Sequence, residues 1–189
     1  MQAPGGPDED ETGGFKHGGW QFAGNIQDDV IGNTINSFMG LPFELLLGKR
    51  TYDIFASYWP TATTDLTVAN PFNNTRKYVV SHKPTKLSWK NSFLITGNIV
   101  EQIKKLKEED RPDLWVWGSG NLIQTLLANN LIDRMHVWTY PITVGSGKRL
   151  FAEGTQASMF RLTDSKVSKT GAIIATYEPA GALKTGTHA

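Results

Sequence analysis

Phe43-Glu44-Leu45-Leu46-Leu47-Gly48-Lys49-Arg50-Thr51-Tyr52 reads as one piece of structure: a strand, a turn and the start of a helix. Residues 43–47 are apolar almost without interruption, as a strand buried on both faces should be. Gly48 ends the run; Tyr52, Phe55 and Ala56 then fall at helical spacing until Trp59-Pro60 closes the helix. The same order recurs downstream. Lys77–Ser81 and Ser92–Thr96 are predicted strands, and Asn98 with Glu101 three residues later is a capping-box pattern opening a helix with Ile99, Ile103 and Leu106 on one face. Leu114–Trp117 is a strand, Gly118-Ser119-Gly120 a turn, and Leu122, Ile123, Leu126 and Leu127 line the next helix. Met135–Tyr140 is a strand, and Phe160–Val167 and Ile173–Tyr177 flank Lys169-Thr170-Gly171 as a hairpin. Upstream, Asp28 or Asp29 caps a helix through Val30, Ile31, Ile35 and Phe38, which Gly40 stops. Alternating strands and helices followed by a hairpin specify an α/β fold. Its central sheet is mostly parallel and flanked by helices, with a C-terminal antiparallel β-hairpin.

Composition narrows the function. The 189 residues contain no cysteine, which removes disulfides, thiolate metal sites and cysteine nucleophiles. Hydrophobic residues at 39% and charged residues at 20% fit an ordered globular chain rather than a disordered one. No apolar run approaches the length of a membrane span, and the acidic, glycine-rich start does not resemble a signal peptide, so the expected compartment is the cytoplasm. A net charge of +1 argues against a nucleic-acid binder. Residues 1–30 carry Lys16 against Asp8, Glu9, Asp10, Glu11, Asp28 and Asp29, so the rest of the chain is mildly basic and suited to an anionic small molecule. Gly5, Gly6, Gly13, Gly14, Gly18 and Gly19 make the first segment a loop, with the composition of a mobile flap. His17, His82, His136 and His188 lack metal-ligand spacing, and no nucleophile elbow is present.

Chemistry is expected where parallel strands pass into helices, because helix N-termini there attract anions. At Gly118-Ser119-Gly120-Asn121-Leu122, glycines let phosphate oxygens approach the backbone. Ile123 stands where a dinucleotide fingerprint would have its third glycine, so a standard Rossmann site is excluded, and a ligand-free tight turn is the other reading. Gly48-Lys49-Arg50-Thr51 places two cations and a hydroxyl at a helix start, where the helix dipole disfavours them unless an anion binds; a solvated turn is the alternative. Ser81-His82-Lys83 repeats the theme. Three such ends in one sheet suit a long, multiply charged ligand such as a dinucleotide.

Four segments in this order and spacing resemble the dihydrofolate-reductase-like superfamily: Leu47–Tyr52, Lys77–Ser81, Trp117–Leu122 and Pro141–Phe151. The nearest branch is that of the C-terminal reductase domain of the riboflavin-biosynthesis deaminase-reductase. The resemblance covers residues 1–179 as a single reductase-like domain, leaving 180–189 as a flexible tail. It implies a dihydrofolate-reductase-like fold and NADPH as cofactor. Lys49, Arg50 and Thr51 after Gly48, together with Gly118, Ser119, Gly120, Asn121 and Leu122, would hold the diphosphate; Ser81 and His82 would lie near the adenosine 2′-phosphate. NADPH is expected over NADH, with Arg50 the discriminator, since neither turn contains an acid to receive a ribose hydroxyl. Trp20 and then Asp28 or Asp29 loosely resemble the family's tryptophan and carboxylate beside its substrate; a helix cap is the plainer reading of Asp28, and the proton donor is unassigned. The family's first central strand is missing, so upstream residues or another segment are expected in its place. Trp138, Tyr140 and Ile142 alternate along one strand face, and relatives often pair through this region, so a homodimer is expected. The activity implied is reduction of a flat heterocyclic or carbonyl or imine small molecule. Its rival is a non-catalytic nucleotide-binding or dimerising protein on the same fold.

Overall fold

The computed structural model describes residues 1–23 and 28–187 and divides into two compact units, residues 33–125 and residues 1–32 with 126–189. His188 and Ala189 of the tail lie outside the described residues.

The 33–125 unit is built on a parallel sheet. Strands β1 (Phe43–Gly48), β2 (Lys77–Val80), β3 (Ser92–Ile95) and β4 (Asp113–Trp115) lie in the order β3-β2-β1-β4. Interior β1 is buried throughout 43–47, as its continuous apolar run requires. Leu45 pairs with Lys77 on one side and Trp115 on the other, and Gly48 pairs with Val80. On one face, Phe43, Leu45 and Leu47 meet Met39, Tyr52, Phe72, Val79 and Trp89 in the core. On the other, buried Glu44 is met by Arg111, 2.5 Å from Nη2 and 2.9 Å from Nε, with Arg111 also donating to the Tyr78 hydroxyl.

Among the described residues the α-helices are α1 (Asp29–Met39), α2 (Lys49–Tyr58), α3 (Leu66–Asn74), α4 (Ile99–Glu108) and α5 (Gly120–Ala128). The Asn98 side chain caps α4 by accepting from Glu101 N at 3.3 Å. Helix α3 has no counterpart in the sequence reading. Pro71 sits inside it, yet fully buried Phe72 anchors it through ring contacts with Phe43, Phe55, Trp59 and Trp117 at 5.4–5.9 Å.

The other unit holds an antiparallel sheet, β5 (Met135–Thr139), β6 (Ser158–Val167) and β7 (Ile173–Ala182), in the order β5-β7-β6. The hairpin forms where Lys169-Thr170-Gly171 placed it. β7 continues to Ala182, paired with Ser158, so the assigned tail begins inside a strand. Among the described residues no strand pairs with the outer edge of β4 or of β5.

The glycine-rich first segment is folded on itself rather than left as an open flap. Gly19 N donates to Ala3 O at 2.9 Å and the Trp20 indole to Gln2 O at 2.7 Å. Buried Gln2 donates to Asp10 O and Thr12 O, both at 2.8 Å, and accepts from Lys148 N at 3.1 Å; the Lys148 ammonium lies 2.6 Å from Asp10.

Candidate functional site

Parallel strands place their C-terminal ends on one edge, so the turns after β2, β1 and β4 stand side by side, about 5 Å between neighbouring strands. Sequence positions 48–51, 81–82 and 118–122 are thereby brought together in the 33–125 unit.

The centre of this edge is the end of β1. Gly48 precedes α2 and offers no side-chain cap, and the first turn of α2 contains no acid. The start of that helix is therefore uncapped by its N-cap residue, while Lys49 and Arg50 add positive charge beside it. From the end of β4, Ser119 reaches across: its Oγ accepts the Gly48 N–H at 2.9 Å. Gly118 and Ser119 both have positive φ, 67° and 64°, which folds the backbone sharply before α5 begins at Gly120. Only Gly118 adopts this without strain. A Cβ built on Gly118 would lie 3.6 Å from the Thr51 methyl, so the two turns are in close approach there as well. Buried Leu122 anchors α5 beneath them, and Asn121 is exposed.

Two features go beyond the sequence reading. The Lys49 ammonium is held by Asp53, one helical turn on, at 2.7 and 2.6 Å from its carboxylate oxygens. The anion that the Lys49-Arg50 turn was expected to draw from a ligand is thus partly supplied from within, and an acid does stand beside this turn. The signal was the Lys-to-Asp spacing of four along the predicted helix. Ser81 is buried and its hydroxyl is locally engaged, donating to Lys83 O at 2.8 Å and accepting from Lys83 N at 3.3 Å; His82 is exposed.

The residues expected on the substrate side belong to the other unit. Half-buried Trp20 packs edge-on against Tyr140, ring centroids 5.6 Å apart. Asp28 is occupied as a clasp: its carboxylate accepts from Ile31 N at 3.0 Å at the start of α1 and from Lys169 N at 2.6 Å at the hairpin turn. Burial alone would raise its pKa, but donation from Ile31, Lys169, Ser168 and Val30 outweighs that and holds the carboxyl below the usual carboxylate range. Asp29 opens α1, exposed, where its charge complements the helix dipole. Tyr140 is buried inside its own chain, and burial pushes its hydroxyl above the ordinary value, with Gln21 acting the other way. Of the alternating set proposed for pairing, Ile142 is the exposed member and Trp138 is half-buried.

A cavity of about 410 Å³ lies beside Gln2, Phe15 and residues 144–150, but Gln2 and Lys148 are consumed in holding the first segment, so few polar groups converge on it. Among the described residues, no cluster of three or more His, Cys, Asp or Glu could hold a metal ion, and no helix is long and apolar enough to cross a membrane.

Residues 33–175 match the RibD C-terminal domain family. The chain is 25% identical over 155 residues to the uncharacterized YyaP protein of Bacillus subtilis (strain 168), covering 80% of this chain and 81% of that one. It shares its fold with a candidate riboflavin biosynthesis protein from Shewanella sp. PV-4, at TM-score 0.64, 24% identity and coverage of 85% and 86% of the two chains. Acinetobacter baumannii RibD aligns at TM-score 0.54 and 12% identity, covering 84% of this chain and 52% of that longer one.

Proposed function

The chain belongs to the RibD C-terminal domain family, and from that premise we propose that it is an NADPH-dependent reductase of a flat heterocyclic or carbonyl or imine small molecule. The observation that carries this reading is the Gly48–Ser119 hydrogen bond, which joins the turn after β1 to the turn after β4 beneath two helix N-termini. The fit to a dinucleotide rests on the donor set: first-turn amides of α2 without a side-chain cap, two cations at 49 and 50, and the tight Gly118-Ser119 turn.

When bound, NADPH supplies the hydride. The protein's part is placement. Lys49, Arg50 and Thr51 hold phosphate oxygens from the α2 side, and Gly118 to Leu122 from the α5 side. Ser81 and His82 stand at the next strand end, toward the adenosine 2′-phosphate. Asp28 is a clasp between α1 and the hairpin, so the proton reaches substrate from another source, water included. A heterocyclic substrate accords with the riboflavin name among the structural neighbours. A cytoplasmic homodimer completes the proposal; a monomer-sized particle in light scattering would overturn that part.

The test is NADPH oxidation followed by nicotinamide absorbance against a panel of pterins, flavin precursors and small carbonyls. Turnover with at least one is expected. Tight NADPH binding without turnover across the panel would favour a non-catalytic nucleotide-binding protein instead.

A further inference from the structure

We propose that Ser119 is a positioning residue that locks the two phosphate-facing turns into one site; the proposal rests on the cofactor reading above. The turns are 71 positions apart in sequence, and the backbone alone does not tie them at this level. The β1–β4 ladder runs from Phe43↔Asp113 to Leu45↔Trp115 and stops. Beyond it β4 leaves the strand direction, so the Gly48 N–H, three residues further along β1, has lost the neighbouring strand as an acceptor. The Ser119 hydroxyl takes that place at 2.9 Å. Gly48 is the residue from which α2 springs, so fixing its amide fixes the aim of the α2 first turn relative to that of α5.

The backbone supports a role for the side chain. Ser119 sits at φ 64°, a region that costs a non-glycine residue about 1–2 kcal/mol and that glycine would occupy freely. A serine held there is accounted for by what its hydroxyl does. That hydroxyl has two lone pairs and one proton. Gly48 occupies one of those lone pairs, which is the use the strained conformation serves.

The test compares wild type, Ser119→Gly and Ser119→Ala by three measurements: NADPH affinity from fluorescence titration, hydrogen exchange at the Gly48 amide, and melting. Both substitutions should weaken NADPH roughly 2- to 10-fold, the loss of one neutral hydrogen bond, and should speed exchange at Gly48. Ser119→Gly should melt no lower than wild type, and Ser119→Ala lower than Ser119→Gly, because alanine keeps the strained φ without the hydroxyl. Faster exchange at Gly48 with unchanged NADPH affinity in Ser119→Gly would make the bond merely structural and overturn the proposal. So would unchanged exchange and affinity together. A wild type that binds neither NADPH nor NADH would instead refute the cofactor reading, and this role with it.

Discussion

Asp53→Asn should tighten NADPH, by an amount that follows from the Lys49–Asp53 pair. The Lys49 ammonium lies 2.6 Å from the nearer carboxylate oxygen, with the two side chains 31% and 56% exposed. An exposed pair at this helical spacing contributes only about 0.3–0.5 kcal/mol, so a ligand phosphate can draw Lys49 away at little cost. A phosphate oxygen on the far side of the ammonium would sit roughly 5.5 Å from the Asp53 carboxylate, the sum of two charge-assisted hydrogen-bond lengths. At that distance a dianion is repelled by about 1.5 kcal/mol in a water-like dielectric, and a screening length of roughly 8 Å at physiological salt about halves this. Adding the strength of the pair itself gives about 1.1–1.3 kcal/mol, or roughly 5- to 10-fold tighter binding. The gain should be largest at low salt and similar for NADH, which carries the same diphosphate. Fluorescence titration of wild type and variant at two ionic strengths checks this. Unchanged or weakened NADPH binding in Asp53→Asn would mean that Lys49 does not face a cofactor phosphate.

Two further predictions concern titration and stability. Lys77 is fully buried, donating to Thr75 O at 2.8 Å and Lys90 O at 3.2 Å beneath the Trp89 ring, and burial, helped by the charge of Lys90, lowers its pKa to about 8. Unfolded lysine keeps its proton to about pH 10.4, so between these values the unfolded chain holds the extra proton and stability should rise with pH, by up to about 3 kcal/mol from this group; urea denaturation should show that rise in wild type and lose it in Lys77→Met, and equal slopes would contradict the assignment. Asp28 has a depressed pKa, so its contribution is present above the unfolded carboxylate value and lost on acidification. Asp28→Asn should melt below wild type at neutral pH, with the difference closing on acidification through the depressed carboxyl pKa; equal melting at neutral pH would show that the clasp does not matter.

Much of the scaffold was legible because local signals and global fold agree. The apolar run of β1 ended by Gly48, the Asn98–Glu101 cap of α4 and the Lys169-Thr170-Gly171 hairpin each carry their own structure. Helix α3 was hidden because Pro71 reads as a breaker, and what holds the helix is Phe72 packing on four distant aromatic rings, which a one-dimensional pattern does not contain. β7 outran its apolar stretch because pairing with β6, not composition, sustains it through Ala182. In the site, turns 48–51 and 118–122 were recognisable by residue type. Their connection through Gly48 and Ser119 was not, since a hydrogen bond across 71 positions leaves no local trace. Tyr140, which alternates with Trp138 and Ile142 along one strand face, packs edge-on against Trp20 of the first segment, a contact across 120 positions that leaves no local trace either.

The most direct test of the cofactor site is paired titration of NADPH and NADH into wild type and Arg50→Ala at fixed, moderate salt. A charge-assisted guanidinium–phosphate bond contributes about 1.5–3 kcal/mol, so wild type should prefer NADPH and Arg50→Ala should lose roughly 10- to 150-fold in NADPH affinity with NADH nearly untouched. Equal losses for both cofactors would confine Arg50 to the diphosphate and overturn its role as the discriminator. Absence of binding by either cofactor, or full NADPH affinity in Arg50→Ala, would contradict the placement of the dinucleotide at this edge of the sheet.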